Sequence, residues 1–331
     1  MEEIKKDALL SVRHLTVEYT SEGEVIHAVN DVSFELEKGK TIGLVGETGA
    51  GKTSIAKAIL RILPEPPAKV RNGEIWFEGR ELLGLKEEEM RKIRGKNISM
   101  IFQDPMTALN PIMRIGEQIA EVIRLHEKCG KAQSVQKAKE MLEMVGIPGE
   151  RYYEYPHQFS GGMKQRVVIA MALACAPDLL LADEPTTALD VTIQAQVLDM
   201  INELKERLNT SMIMITHDLG VVAQVCDSVA VVYAGEVMEY GTKEQIFDHP
   251  LYPYTKGLFG SLPNMNDDAE RLSPIEGLPP NPADLPKGCA FHPRCPYATE
   301  ACKQAHIPLT DMGGGHLCRC CRVNELAKEG K

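Results

Sequence analysis

The chain has 331 residues, of which 44% are hydrophobic and 25% charged, and its formal net charge is −10. These values are typical of a soluble globular protein with one large domain or two of moderate size. The negative charge argues against general binding to nucleic acid or to an anionic membrane surface, because both need a surplus of Lys and Arg. The longest apolar run, residues 167–176, is too short to span a membrane, and the first residues lack the pattern of a secretory signal. We therefore expect a cytosolic chain.

The N-terminal part alternates apolar and polar residues, which is typical of half-exposed antiparallel strands; the alternation covers residues 11–19, 25–36 and 74–77. Short, almost continuous apolar runs predict strands that are buried in a largely parallel sheet, at residues 41–45, 98–102, 179–183, 211–216 and 229–233. Helical patterns fall between these runs, at residues 52–62, 161–174 and 193–208.

The segment from about residue 104 to residue 168 differs from its surroundings. It contains no convincing strand, whereas residues 115–125 and 134–144 have helical spacing. We therefore predict an α/β fold with a mixed β layer, a parallel core sheet and an inserted helical subdomain.

Composition changes once along the chain, near its C-terminus. Residues 250–296 contain ten of the twenty prolines, which interrupts regular structure. We place a domain boundary there, with a large domain at residues 1–260 and a Pro-rich, Cys-rich extension at residues 261–331.

Residues 46–53 form a phosphate-binding motif, G-x-x-x-x-G-K-[ST], between an apolar strand and a helical pattern. Glycines let backbone N–H groups converge on phosphate oxygens, and the helix N-terminus adds partial positive charge. We expect Lys52 to bridge the β- and γ-phosphates of a nucleotide and Thr53 to bind Mg²⁺; a chance glycine-rich turn is the alternative. The predicted nucleotide contacts are Gly46, Glu47, Thr48, Gly49, Ala50, Gly51, Lys52, Thr53 and Ser54.

A second motif follows at residues 179–185, where four apolar residues precede Asp183 and Glu184. In open α/β sheets, ligands bind beyond the carboxyl ends of the strands. We expect Asp183 to hold Mg²⁺ through its water shell and Glu184 to act as the base that polarises the attacking water. An Asp-Glu pair at a strand end is by itself more often a solvated turn.

Residues 159–166, Phe-Ser-Gly-Gly-Met-Lys-Gln-Arg, resemble the signature motif of the ATP-binding cassette (ABC) ATPases. The other motifs of that family match in the expected order. Gln103 resembles the Q-loop residue, residues 188–190 resemble the D-loop, and His217 resembles the switch histidine. Tyr19 stands where the family usually has an aromatic residue that stacks on the adenine ring. Position 163 is Met, where the broad family most often has Gln, although peptide-importer ATPases commonly have Met.

The resemblance implies an ATPase in which two chains close over ATP. Catalysis would use Glu184, His217, Gln103 and Lys52, and Gln103 would join Thr53 and Asp183 at Mg²⁺. The facing chain would contribute its own residues to the ATP, namely Ser160, Gly161, Gly162 and Asp190.

A closer resemblance is to the ATPase subunits of bacterial dipeptide and oligopeptide importers, and it extends over nearly the whole chain, including residues 102–111, 253–258 and 288–296. It implies a peripheral subunit at the cytoplasmic face of the bacterial membrane. The partners would be two membrane permeases, a paralogous ATPase or a second copy of the chain, and indirectly an extracellular peptide-binding protein. Import of nickel or another small solute is one alternative. A soluble ABC ATPase acting on nucleic acid or the ribosome is another, which we disfavour.

Six of the nine cysteines lie in the last 43 residues. In a reducing compartment such a group is more often a metal site than a disulfide framework. In some members of the resembled subfamily, the spacing of Cys289, Cys295, Cys302 and Cys318 is associated with a [4Fe-4S] cluster, which we predict here. From the residues alone, a Zn(Cys)4 site or no metal are alternatives. Cys320 or Cys321 could replace Cys318, and the spare candidate ligands are His292, His306 and His316.

Overall fold

The computed structural model describes residues 8–21, 23–187, 190–261 and 275–329. It divides into two compact units, of which the first comprises Met1–Leu9, Leu36–Thr41 and Glu81–Ile215. The second comprises Leu10–Glu35, Ile42–Arg80 and Thr216–Lys331. No helix in the described parts is both long and apolar enough to cross a bilayer.

The strands, in chain order, are β1 (Ala8–Ser21), β2 (Glu24–Glu37), β3 (Thr41–Val45), β4 (Ala68–Phe77), β5 (Arg80–Glu81), β6 (Ile98–Ile101), β7 (Leu179–Asp183), β8 (Ser211–Thr216), β9 (Ser228–Tyr233), β10 (Glu236–Thr242), β11 (Thr310–Asp311) and β12 (Leu317–Cys318). The α-helices are α1 (Lys52–Ile59), α2 (Glu87–Ile93), α3 (Pro105–Ala108), α4 (Ile115–His126), α5 (Lys131–Met144), α6 (Gly161–Leu173), α7 (Val191–Leu208), α8 (Leu219–Val225), α9 (Lys243–Asp248), α10 (Pro253–Gly260) and α11 (Val323–Glu329). Short 3-10 helices lie at Gly149–Tyr153, Pro156–Gln158 and Glu300–Lys303.

The first unit is built on the parallel strands β6, β7 and β8, with β7 in the middle. Every residue of β6 and β7 is buried, which explains why these strands are almost continuously apolar. The helical insertion packs α4 against α5 and against the 3-10 helix Gly149–Tyr153. A side chain at Gly116 of α4 would overlap the buried ring of Tyr152, since its Cβ would lie 1.9 Å from Tyr152 Cδ2.

The second unit contains two groups of strands. One is a sheet with the order β2-β1-β4-β5, in which β1 runs antiparallel to β4. The other has the order β3-β9-β10-β12-β11, in which β3 is parallel to β9 and the strands after β9 are antiparallel. The C-terminal residues therefore extend the same group of strands that begins with β3, through the pairs Glu239↔Cys318 and Tyr240↔Leu317.

Where the sequence predicts a strand or a helix, the structure has an element of the same type. The five buried strands and the antiparallel N-terminal strands are present, and the helical insertion contains α4 and α5. The helix predicted at residues 52–62 ends earlier, at Ile59, and Arg61 has a positive φ of 52° that a helix cannot continue through. Strands β5, β10, β11 and β12 and helices α2, α3 and α8 to α11 were not predicted. The domain boundary at residue 260 stays a prediction.

Candidate functional site

The phosphate-binding loop joins β3 to α1, and two of its glycines have backbone neighbours that leave no room for a side chain. A Cβ at Gly46 would lie 2.0 Å from the carbonyl oxygen of Val232. Gly51 has a φ of 99°, and a Cβ there would lie 2.2 Å from the carbonyl oxygen of Ala28. The backbone of the second unit therefore requires glycine at both positions, independently of any ligand.

Lys52, the first residue of α1, is 5% exposed. Its Nζ donates hydrogen bonds to the carbonyl oxygens of Gly46 at 2.6 Å and Glu47 at 3.0 Å. The ammonium group therefore lies against the loop backbone. Tyr19 and Ser54 also meet here, with 3.2 Å between their hydroxyl oxygens, and Thr53 is half-buried in the first turn of α1.

Glu47 is engaged at both its backbone and its side chain by residues near the C-terminus. Its N–H donates to the Tyr254 hydroxyl at 2.9 Å. Its carboxylate accepts two hydrogen bonds from Arg294, at 2.8 and 3.0 Å. Burial raises the pKa of Tyr254, and the hydrogen bond with Glu47 is the main cause of the raised pKa of Arg294. The amide of Glu47 is thus satisfied within the protein.

In the first unit, β7 ends at Asp183, which is 2% exposed, and the chain turns at Glu184. Glu184 has a positive φ of 47°, and its N–H donates to the carbonyl oxygen of Ile215 at 2.8 Å. Its Oε2 accepts hydrogen bonds from Gln103 Nε2 at 3.0 Å and from Thr187 Oγ1 at 2.9 Å. Two sequence-predicted site residues, Gln103 and Glu184, are therefore in direct contact.

The signature residues lie at the start of α6, where Ser160 is the N-cap and accepts a hydrogen bond from the Met163 N–H at 3.4 Å. Ser160 and Gly161 are exposed, and Gly162 is partly exposed. The preceding loop is supported by Arg151, whose guanidinium lies 4.2 Å from the centre of the Phe159 ring. The N-terminus of α6 is therefore open to an anion from outside the chain.

The D-loop prediction is only partly described. Residues 188 and 189 lie outside the described residues, whereas Asp190 is exposed and caps α7 by accepting from the Ile193 N–H at 3.0 Å. His217 follows β8 and is also exposed. The next residue, Asp218, caps α8 through the Gly220 N–H at 2.8 Å and so fixes the turn after His217.

A cavity in the second unit is lined by five of the C-terminal cysteines, together with aromatic and apolar residues; the five are Cys289, Cys295, Cys302, Cys320 and Cys321. The sulfur atoms of Cys302 and Cys321 are 3.7 Å apart. The sulfur of Cys289 lies 3.0 Å from the Tyr252 hydroxyl. Burial raises the pKa of Cys289, and although burial also acts on Cys302, hydrogen bonds with Thr299 and Cys321 lower its pKa.

Cys318 does not line this cavity, unlike the other three predicted ligands. It is buried on β12 opposite Glu239 of β10, and burial raises the pKa of its thiol. Among the described residues, no group of three or more His, Cys, Asp or Glu side chains has the arrangement needed to hold one metal ion. Of the spare histidines, His292 lines the cavity, whereas His306 and His316 contact Glu236 and Glu239.

Four residues that support these sites were not singled out from the sequence. Thr187 and Gln165 support the turn after β7, and Gln165 donates to the Pro185 carbonyl oxygen at 2.6 Å. Tyr254 and Arg294 support Glu47. Gln165, Tyr254 and Arg294 lie inside segments already recognised, but each contacts a residue far away in the sequence, which no local pattern indicates.

Comparisons with known proteins agree with the motifs. Residues 29–187 match the family model "ABC transporter", and residues 238–302 match "Oligopeptide/dipeptide transporter, C-terminal region". The dipeptide transport ATP-binding protein DppD of Bacillus subtilis is 50% identical over 324 residues, which cover 97% of each chain. The oligopeptide transport ATP-binding protein OppD of Haemophilus influenzae is 52% identical over 318 residues, 94% of this chain and 96% of the relative. A solved dimeric ATP-binding cassette, bound to ADP and phosphate after hydrolysis, has a TM-score of 0.64 at 26% identity, covering 71% of this chain and 98% of its own.

The fold and the ordered motifs define an ABC cassette, a P-loop ATPase of mixed α/β architecture. The near full-length identity then specifies the family: the chain belongs to the dipeptide and oligopeptide transport ATP-binding proteins of the ABC transporters.

Proposed function

We propose that this chain hydrolyses ATP to energise the import of dipeptides or oligopeptides through an ABC transporter. The observation that carries the proposal is the 50% identity to a dipeptide transport ATP-binding protein over 97% of both chains. The similarity includes the C-terminal region as well as the cassette, and that region has its own match to peptide transporters.

At the ATP, Lys52 neutralises the β- and γ-phosphates, and the glycine-rich backbone from Gly46 to Gly51 surrounds them. Tyr19 stacks on adenine, and its contact with Ser54 at 3.2 Å fits a position beside the loop. Thr53 and Gln103, and Asp183 through water, would hold Mg²⁺. The ion supplies charge neutralisation at the phosphates when bound.

Glu184 polarises the attacking water, and His217 contacts the γ-phosphate. The hydrogen bond from Gln103 to Glu184 supports this role, because it fixes the orientation of the carboxylate. Thr187 reinforces the same orientation.

The second half of each ATP site comes from another chain, either a paralogue or a second copy. The exposed N-cap Ser160 and the open N-terminus of α6 support this arrangement, since backbone N–H groups at a helix start bind phosphate oxygens. Gly161, Gly162 and Asp190 complete the facing surface. Two permeases anchor the pair at the cytoplasmic face of the membrane, and a peptide-binding protein outside delivers the substrate.

The base assignment is tested with Glu184→Gln. The amide keeps the size of the side chain but removes its basicity, so ATP hydrolysis should fall by about 100-fold or more while ATP binding persists. Size-exclusion chromatography with MgATP should show a trapped dimer. Glu300→Gln, the same change at an exposed tail carboxylate, is the control and should behave as wild type. Hydrolysis by Glu184→Gln at the wild-type rate would disprove the role.

The substrate class is tested in membrane vesicles that contain the chain with its own permeases and binding protein. Short peptides should stimulate ATP hydrolysis and accumulate inside. Stimulation by Ni²⁺ and not by peptides would favour the small-solute alternative instead.

We further propose that the cysteine cavity holds a [4Fe-4S] cluster. Convergence of five cysteines on one cavity supports a thiolate-bound group there, and the resemblance to subfamily members with this cysteine spacing favours the cluster over zinc. The ligands would be Cys289, Cys295 and Cys302, with Cys320 or Cys321 in place of Cys318, because both of these line the cavity and Cys318 does not.

The proposal is tested by measuring the iron and acid-labile sulfide contents of anaerobically purified protein. Wild type and Cys318→Ser should contain about four irons per chain. One of the two variants Cys320→Ser and Cys321→Ser, the one that removes the fourth ligand, should contain much less. Zinc at one equivalent with no iron in wild type would exclude the cluster, and iron loss in Cys318→Ser alone would restore Cys318 as the fourth ligand.

A further inference from the structure

Arg294 connects the C-terminal extension to the phosphate-binding loop. It lies in the same turn as Cys295, more than two hundred residues after the loop, and its side chain is 5% exposed. Both of its terminal nitrogens donate to the Glu47 carboxylate, at 2.8 and 3.0 Å, in the paired geometry that gives the strongest ion pairs.

Every N–H group of the Arg294 guanidinium has an acceptor. Beyond Glu47, the acceptors are the Tyr233 hydroxyl at 3.3 Å and the carbonyl oxygens of Ile275 and Glu276 at 3.4 and 3.0 Å. The ring centres of Tyr233 and Phe291 lie 5.8 and 6.0 Å from the guanidinium carbon. A side chain with all five donors engaged has one defined position, so it fixes the position of the carboxylate that it binds.

Glu47 is an unfavourable charge for a loop that receives a triphosphate. Like charges repel, and the repulsion is stronger where water is partly excluded. Glu47 also supplies a carbonyl oxygen to Lys52, so displacement of Glu47 would disturb the cation that the phosphates need. An arginine that neutralises and immobilises Glu47 removes both problems.

We propose that Arg294 is a positioning residue for ATP binding: it cancels the charge of Glu47 and fixes the phosphate-binding loop, so that the C-terminal extension sets the affinity of the cassette for nucleotide. Arg294 acts through Glu47 and does not contact ATP. The inference rests on the proposed binding of ATP at this loop.

Arg294→Met removes the charge and keeps an apolar stem. It leaves the Glu47 carboxylate uncompensated, so the Kd for MgATP, measured with a fluorescent ATP analogue, should rise about tenfold. Adding Glu47→Gln to this variant removes the repelling charge and should restore most of the affinity. Arg294→Lys keeps the charge without the paired hydrogen bonds and should give an intermediate Kd. Lys303→Met, which breaks a tail ion pair at Glu300 away from the loop, is the control and should bind as wild type.

The recovery by a second substitution separates this role from simple stabilisation of the tail. If Arg294→Met and the double variant bind ATP equally weakly, or if Arg294→Met binds as wild type does, the inference is wrong. Should Arg294→Met fail to fold, the intermediate Kd of Arg294→Lys and its recovery by Glu47→Gln decide the matter in the same way. Absence of ATP binding in wild type would instead reject the proposed function itself.

Discussion

The phosphate-binding loop and the cysteine-lined tail are built on opposite principles. The loop takes its shape from the backbone, because Gly46 and Gly51 lie where neighbouring carbonyl oxygens exclude any side chain. The tail, residues 261–331, is held by buried side chains. Glu239 of β10 and Arg319 of the tail itself are the best examples. A site whose shape depends on the local backbone can be recognised in the sequence as a short motif. A site whose shape depends on contacts between side chains far apart in the sequence cannot.

Glu239 shows how the tail is attached. It is fully buried and accepts hydrogen bonds from the Leu251 and Tyr252 N–H groups at 2.7 and 3.0 Å. His316 Nε2 lies 2.8 Å from its Oε1. One carboxylate thus joins β10, the start of α10 and the strand pair of the tail. Arg319 adds bonds to the carbonyl oxygens of Val237 and Ile307, both at 3.0 Å.

The largest effect that we expect is on ATP binding by Gly51→Ala. The new Cβ would meet the Ala28 carbonyl oxygen at 2.2 Å, so the loop must move, and affinity should fall by about 100-fold or more with the fold intact by circular dichroism. Gly49→Ala is the matched control. Gly49 also has a positive φ, of 84°, but nothing lies within 4 Å of a Cβ there, so only backbone strain of about 1–2 kcal/mol applies. Equal effects of the two variants would show that close backbone approach is not what specifies the loop.

Glu239→Ala should change ATP affinity less than Gly51→Ala does, but it should lower the stability of the protein strongly. It leaves two N–H groups and His316 without their buried acceptor, and the free energy of unfolding should fall by about 3–5 kcal/mol. Urea denaturation monitored by far-UV circular dichroism measures the change. A loss below about 1 kcal/mol would mean that the tail is held by something other than this carboxylate.

The smallest effect is expected from Lys303→Ala, which removes the exposed ion pair with Glu300. Solvent screening makes such pairs nearly neutral, so the thermal unfolding midpoint should not shift measurably. A clear destabilisation would show that exposed charges, and not only buried ones, specify the tail.

The contrast explains what the sequence could and could not predict. The strands β3, β7 and β8 are buried and nearly continuously apolar, and Lys52, Asp183 and Glu184 follow from motifs with a local geometry. The position of Cys318 outside the cysteine-lined cavity could not be found this way. Spacing along the chain does not reveal that Cys318 of β12 pairs with Glu239 and does not line the cavity, whereas Cys320 and Cys321 do line it. The link between Arg294 and Glu47 joins residues 247 positions apart and has no local signal either.

The left-handed backbone at Glu184 restricts which residues could ever replace it. A glycine would adopt a φ of 47° without strain but would bring no carboxyl group. Aspartate tolerates this conformation better than most residues, yet its side chain is one methylene shorter and would withdraw the oxygen from Gln103 and Thr187. Glutamate is long enough to contact both residues, but it rarely adopts this backbone conformation, which costs about 1–2 kcal/mol. The side-chain length that reaches Gln103 and Thr187 and the backbone conformation of the turn therefore favour different residues at this position, and the residue found there keeps the contacts despite the backbone strain.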